Sequence, residues 1–385
     1  MKILQVQTQA EAGGAQRISD LVGEGLRARG HEVRTVFLYR KTDVYDRDPH
    51  ADFILTAPPE GPFGQLRAVL GLVNYMRKAR PDAVLSFQHY GNIAGTLAAR
   101  LSGARSIVAN QSGAPQSRGI RGLLTQIDKL MGIAGLYHAN VVNSGWTEAQ
   151  FDAFPKRYRR RLHRIDHGVP APAQVFEKQA ARSAFGLPPS VPLVLSSGRL
   201  AASKNQAALV GALALVPHMH LAIAGTGPEA GNLAALAESL HVRSRLHLVG
   251  EVPPARIYEF LAAGDAYAFA STTETFGLAA VEAAIAGLPL VASDLDVLKE
   301  VLTTADGAPA ALFVRPDADG VASGLTDLLA NPALADRLAS AGRQLKAQYS
   351  PETMCAAYEA LFLRDHLGTA AIPSITSSGP ERLSV

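Results

Sequence analysis

The chain has 385 residues, 48% of them hydrophobic and 18% charged, which excludes intrinsic disorder and is too long for one ordinary core, so two domains are expected. A net charge of +3 is too small to point to nucleic acid. The single cysteine, Cys355, excludes an internal disulfide and any multi-cysteine metal site, and suits a reducing, cytoplasmic compartment.

No window reaches the ~18–20 uninterrupted apolar residues of a membrane span. The opening MKILQVQTQAEAGG lacks the apolar run of a secretory leader and reads as a first buried strand. Short apolar runs then alternate with helical patterns, the signature of a parallel α/β architecture. Residues 2–8 are expected as a strand, 15–29 as a helix stopped by Gly30, and 31–38 as the next strand. Strand 83–87, helix 92–101, strand 106–109 and strand 139–143 follow, with Ser144 capping the helix after them. The run from Lys156 to Arg164 (KRYRRRLHR) reads either as a solvated face or as a contact for an anionic membrane or polyanionic acceptor.

The pattern restarts after the proline-rich HGVPAP at 167–172. Strands are expected at 193–197, 220–224, 246–249, 266–270 and 290–293, and helices at 205–215, 229–240, 255–262 and 275–286. Two successive α/β sets predict two Rossmann-like domains facing across a cleft, 1–170 and 171–350. A helix over 351–367 is expected to cross back to the first domain, and 368–385, rich in Ser, Pro and Thr, is expected to be a disordered tail.

The richest segment is ASTTETFGLAAVEAAIAGLPLVAS at 270–293. Glu274 precedes and Glu282 lies within a helix whose first turn is Thr275-Phe276-Gly277-Leu278. The unpaired N–H groups and positive dipole end of such a turn form an anion site. It can hold a diphosphate while the two carboxylates accept hydrogen bonds from sugar hydroxyls. Taken alone, two glutamates at this spacing also occur by chance and face solvent. In Leu195-Ser196-Ser197-Gly198-Arg199-Leu200, followed by Lys204-Asn205, two cations stand at the C-terminal edge of a parallel sheet, where ligands of such sheets bind. Arg199 suits a bidentate phosphate clamp and Lys204 a point charge; as isolated residues they read equally as surface cations. Gly13-Gly14 after the first strand permits close backbone approach but departs from GxGxxG, which argues against a nicotinamide cofactor. Gly225-Thr226-Gly227-Pro228 reads as a plain turn.

Together these pieces resemble the retaining glycosyltransferase family 4, of GT-B fold. The resemblance is carried by GGAQRISDLVGEGLRARGHEV (13–33), SSGRLAASKNQAAL (196–209), LAIAGTGPE (221–229), LHLVGEVPPARIYEFLAAGDAYAFAST (246–272) and ETFGLAAVEAAIAGLPLVASD (274–294), and spans most of residues 1–365. It implies that Glu274 contacts the donor sugar and Glu282 the ribose. Arg199 and Lys204 would bind the diphosphate beside Gly198, Gly14 and the N–H groups of Phe276, Gly277 and Leu278. Base contacts fall near Val249, Glu251, Val252 and Ile257. It also implies that no metal or other cofactor is required. Family members commonly carry a histidine after the strand at 106–109, but this chain has Asn110-Gln111 there, with His89 (in SFQHYGN) the nearest substitute on the acceptor side.

The expected activity is transfer of a sugar from a nucleotide-diphosphate donor to a glycan or polyprenyl-linked acceptor, in exopolysaccharide or lipopolysaccharide assembly. Pro253-Pro254 favour a UDP-sugar, and Glu251 leaves a GDP-sugar open. The competing readings are a nucleotide-sugar 2-epimerase on a similar fold and a non-catalytic sugar-nucleotide-binding module.

Overall fold

The computed structural model describes residues 1–367 apart from Ala12, Ser112, Gln116 and Ser117, and side chains as far as Arg364. The expected tail at 368–385 lies outside the described residues. Two compact units divide the described residues, Met1–Gly168 with Ser350–Leu367, and Val169–Tyr349.

The first unit runs β1 (Lys2–Ala10), α1 (Gly14–Ala28), β2 (Glu32–Arg40), β3 (Ala51–Leu55), α2 (Gly61–Ala79), β4 (Ala83–Phe87), α3 (His89–Ser102), β5 (Ser106–Asn110), α4 (Gly119–Ala134), β6 (Ala139–Val142), α5 (Gly145–Ala149), α6 (Lys156–Arg159) and β7 (Leu162–Arg164). Its seven strands form one parallel sheet in the order β3-β2-β1-β4-β5-β6-β7. Strands β4, β5 and β6 are buried along their whole length because helices cover both faces of a parallel sheet, so their sequences are apolar runs without alternation. The connections through α2, α3 and α4 step across the sheet in one direction and that through α1 in the other. Right-handed crossovers therefore place α2–α4 on one face and α1 on the opposite one.

The second unit runs α7 (Lys178–Ala184), β8 (Leu193–Ser197), α8 (Gln206–Leu215), β9 (His220–Ala224), α9 (Ala230–Ser239), β10 (Leu246–Gly250), α10 (Ile257–Ala262), β11 (Ala266–Phe269), α11 (Leu278–Ile285), β12 (Leu290–Ser293), α12 (Asp296–Val301), β13 (Leu312–Val314), α13 (Ala318–Ala330) and α14 (Pro332–Gln348). Its sheet is parallel, in the order β10-β9-β8-β11-β12-β13. Val194, Leu221, Ile223, Ala268 and Val291 pack against Leu209, Leu213 and Leu325 in its core. The order reverses between β8 and β11, which puts the ligand-binding crevice at the C-terminal ends of those two strands.

Helix α15 (Pro351–Leu367) belongs to the first unit and packs on α1. Gly25 makes room for Cys355, and Arg29 and His31 each meet Glu359 at 2.7 Å. The Cys355 thiol is buried and pushed up to about 11, so this cysteine is a packing residue and a poor nucleophile.

A second buried network involves Asp128 of α4, which is 5% exposed and accepts hydrogen bonds from the Tyr158 hydroxyl at 2.5 Å and the Tyr137 hydroxyl at 3.3 Å. Burial pushes its carboxyl from the ordinary 3.8 up to about 6. The protonated form is thus favoured by folding, and this stabilisation is complete below 3.8 and lost as pH rises through about 6. Asp128→Asn is expected to be more stable than the wild type above that window, by up to about 3 kcal/mol, and to lose the advantage below it. Melting curves recorded across the window check this, and parallel pH profiles of the two proteins would contradict it.

The boundaries of most expected elements shift by one to three residues. Strands β3, β7 and β13 and helices α2, α4, α6, α7, α12, α13 and α14 had no counterpart in the sequence reading. The fold pairs part of the basic run. Arg161 donates to the carbonyls of Gly132 and Tyr137, Arg164 pairs with Asp166, and Arg159 faces Asp152 at 3.8 Å, while Tyr158 between them is buried. Lys156, Arg157, Arg159, Arg160 and Arg164 remain exposed.

Candidate active site

The site is built on the C-terminal edge of the second sheet. Strand β8 (LVLSS) is fully buried and ends at Ser197. The chain then turns through Gly198, and Arg199 emerges exposed. A short 3-10 turn, Ala202–Lys204, carries Lys204 back toward the end of β11. Asn205, in the left-handed region at φ 52°, fixes that turn by donating to the carbonyls of Ala270 (3.1 Å) and Pro316 (2.7 Å). The sequence pair Lys204-Asn205 therefore has a division of labour, the lysine facing the site and the asparagine pinning the loop.

The Lys204 ammonium donates to Glu274 Oε1 at 2.5 Å and lies 5.7 Å from the centre of the Phe269 ring. The Glu274 side chain is 10% exposed and that of Lys204 30%. Two residues given separate roles from the sequence thus form one ion pair, and a bound diphosphate would share the lysine with the acid.

Helix α11 begins at Leu278, three residues later than expected, because Gly277 at φ 84° and ψ 49° cannot continue a helix backward. Its carbonyl still accepts from the Ala280 and Val281 N–H groups, which sets the first turn. A side chain at position 277 would meet Leu298 Cδ2 at 2.7 Å, so the turn is both conformationally and sterically reserved for glycine. The Phe276 ring is buried edge-on against Tyr349, 5.1 Å between centres, leaving only its backbone near the helix start. Glu282 sits deeper on the same helix, 4% exposed among Val281, Ala283, Ala284 and Ile285.

A buried tyrosine, absent from the sequence reading, braces this corner. Tyr267 of β11 accepts from the Ser197 N–H at 2.9 Å and bonds the Ser197 hydroxyl at 2.7 Å, which fixes the end of β8 just before Gly198 and Arg199. Burial pushes its hydroxyl up, and the Glu282 and Glu274 carboxylates push the same way, so it stays neutral. A tyrosine inside the otherwise apolar AYAFA was the available signal. The turn at 225–228 is a second brace. Gly225 donates to the Gly250 carbonyl at 2.7 Å, and Leu200 donates to Thr226 at 2.9 Å.

The base-contact segment implied by the resemblance starts at the end of β10, with Val249 in the strand and Val252 beyond it half-buried, Glu251 exposed and Ile257 buried at the start of α10. Gly14 opens α1 in the first unit. There too, Asn110 is buried, its amide donating to the Tyr358 hydroxyl and its backbone bonded to Asn92. Gln111 is buried against Asp128. Of the three acceptor-side candidates, His89 alone keeps part of its surface exposed, at the first residue of α3. Burial, and then the Arg121 charge, hold its pKa down, so its ring is neutral near pH 7.

Two family models match in tandem, a "glycosyl transferase 4-like domain" over residues 13–184 and "glycosyl transferases group 1" over 177–345. The chain belongs to the GT-B glycosyltransferases of the family 4 type. This glycosyltransferase is 27% identical over 371 residues to the lipopolysaccharide core biosynthesis glycosyltransferase LpsD of Rhizobium meliloti, covering 94% of this chain and 98% of that one. It is 34% identical to the D-inositol 3-phosphate glycosyltransferase of Mycolicibacterium gilvum, over 40% of this chain and 36% of the relative. In fold it is similar to HepE of Anabaena in complex with UDP-glucose, with a TM-score of 0.79 at 17% identity over 94% of this chain and 99% of that one. A sucrose-phosphate synthase from Thermosynechococcus elongatus is equally similar, at TM-score 0.79 and 22% identity over the same shares. Among the described residues no helix of the glycosyltransferase is long and apolar enough to cross a membrane.

Proposed function

We propose that this glycosyltransferase moves a sugar from a UDP-sugar to a hydroxyl of a glycan or lipid-linked glycan, with retention at the anomeric carbon and without a metal ion, in lipopolysaccharide or exopolysaccharide assembly. The observation that carries the reading is the Lys204–Glu274 ion pair at the end of β11, beside the start of α11 and on the same sheet edge as Arg199. This is a corner where positive charge and helix N–H groups meet an acid suited to hydroxyls. The names of the relatives support the assembly context, and the UDP-glucose complex of HepE supports the uridine nucleotide.

In this reading the glycosidic C–O bond breaks with oxocarbenium character, and the electron pair leaves with the diphosphate. Arg199, Lys204 and the N–H groups at the start of α11 stabilise that developing charge, and fixed cations take the place of a divalent ion. A donor phosphate oxygen takes the proton of the attacking hydroxyl, so no protein nucleophile is needed. Glu274 and Glu282 accept hydrogen bonds from donor hydroxyls.

The test incubates the enzyme with UDP- and GDP-sugars and a lipid-linked acceptor, with and without EDTA. The expected product keeps the anomeric configuration of the donor, forms from the UDP-sugar, and forms equally fast in EDTA. Loss of turnover in EDTA that Mg²⁺ restores would contradict the metal-free reading. Conversion of the donor at C2 in the absence of acceptor would instead establish an epimerase.

A further inference from the structure

The face of the first unit formed by α2, α3 and α4 has a character that the donor site does not explain. These helices lie side by side, α2 against α3 and α3 against α4. Each turns apolar side chains outward. On α2 these are Phe63 (87% exposed), Leu66 and Leu70, spaced i, i+3, i+7, opposite the buried Ala68, Leu72 and Met76. On α3 they are Leu97 and Leu101, and on α4 they are Ile120 (72% exposed), Leu123 and Leu130. Isolated exposed leucines are ordinary, but three adjacent helices presenting them on one face make a patch that calls for a partner.

The charge on the same face says which partner. Neither α2 nor α3 contains an aspartate or glutamate, and the one acid of α4, Asp128, is buried. Arg67, Arg77 and Lys78 of α2, Arg100 of α3 and Arg121 of α4 are exposed among the apolar residues. A protein partner would have to bring a surface that is both apolar and uniformly acidic. An anionic bilayer offers that combination everywhere, with headgroups for the cations and acyl chains for Phe63 and Ile120.

We infer that the α2–α3–α4 face docks the enzyme on an anionic lipid bilayer, its apolar side chains entering the acyl boundary and its arginines and lysines meeting the lipid phosphates. The site differs from the basic run at Lys156 to Arg164, which the fold partly neutralises, and it is independent of the donor reading.

Vesicle flotation of the full chain tests the inference, with vesicles of phosphatidylcholine alone or mixed with phosphatidylglycerol. The wild type is expected to float with the anionic vesicles only, and less at high salt. Phe63→Ser with Ile120→Ser, and separately Arg67→Glu with Lys78→Glu, should each lower the bound fraction about tenfold or more. Lys156→Glu with Arg157→Glu and Arg160→Glu should leave most binding in place. All these residues are exposed, so melting temperatures and the UDP-induced thermal shift should be unchanged, which separates failure here from failure of the donor reading. The charge-reversal pair keeps the test decisive if the serine pair misfolds. The inference is overturned if the wild type does not float with anionic vesicles, or if the 156–160 variant alone abolishes binding. A wild type that sediments as a dimer, splits on Phe63→Ser with Ile120→Ser and binds no vesicles would overturn it as well, giving the face to a second copy.

Discussion

Lys204→Ala is expected to lower kcat/KM for the donor by about 10²- to 10³-fold, the range found when one preorganised stabiliser of developing charge is removed. The lysine is held by geometry before any ligand arrives. Its loop is pinned through Asn205 to Ala270 and Pro316, and its ammonium rests on Glu274 at 2.5 Å. Little reorganisation is therefore needed when the diphosphate leaves. The same substitution strips a 10%-exposed carboxylate of its cation, at a cost of about 1–3 kcal/mol in stability, so rates belong well below the lowered melting temperature. Lys204→Arg should recover part of the loss, because charge is kept while the fork replaces the compact ammonium. Arg199→Ala should act in the same direction with no such stability cost, since Arg199 is exposed. The double alanine variant should fall short of the product of the two effects, because both cations act on one leaving group. Near-normal turnover in that double variant would remove the diphosphate grip from the mechanism.

Gly225→Ala should destabilise the second unit by roughly 2–5 kcal/mol, the sum of backbone strain and overpacking, and weaken donor binding with it. The residue adopts φ 142°, and a Cβ there would lie 2.0 Å from the Gly198 carbonyl oxygen. That oxygen cannot retreat freely, because Gly198 donates to Ala224 and the adjacent Ser197 is held by Tyr267. The clash therefore displaces the segment that carries Arg199. In a unit of this size the loss should appear as a melting temperature lower by about 5–15 °C. Gly231→Ala is the matching control. It lies in α9, its added methyl meets nothing within 4 Å, and it should be neutral or slightly stabilising. Equal melting temperatures for the two variants would show that the 225–228 turn is the plain connection the sequence suggested.

Much of the second unit was legible because its strands are short apolar runs closed by glycine and proline. The expected bounds of β8, β9 and β12 coincide with those observed. Both units hold elements that were not read, and in the first the reason is visible in α2 and α4. Helix α2 turns Phe63, Leu66 and Leu70 outward, and α4 turns Ile120, Leu123 and Leu130 outward while burying Gly122, Thr125, Asp128 and Gly132, so the large apolar residues do not mark the core-facing side. β3 is half-buried throughout at the sheet edge and offers no continuous apolar run. At the site, residue types and order were readable but pairings were not. No spacing rule brings Lys204 onto Glu274, 70 positions apart, or Tyr267 onto Ser197. Those contacts come from strand order, in which β11 lies beside β8 although α8, β9, α9, β10 and α10 separate them in the chain. Likewise Asn110 and Gln111 stand where the resemblance places a histidine, and no sequence rule shows that the Asn110 amide meets Tyr358 or that Gln111 meets Asp128.

The most direct measurement is a crystal structure of the enzyme with a bound UDP-sugar. The diphosphate should lie within hydrogen-bonding reach of the Arg199 guanidinium, the Lys204 ammonium and the N–H groups at the start of α11, with Glu274 turned to a sugar hydroxyl. Phosphates bound elsewhere on the chain, with Lys204 still held by Glu274 alone, would contradict the account.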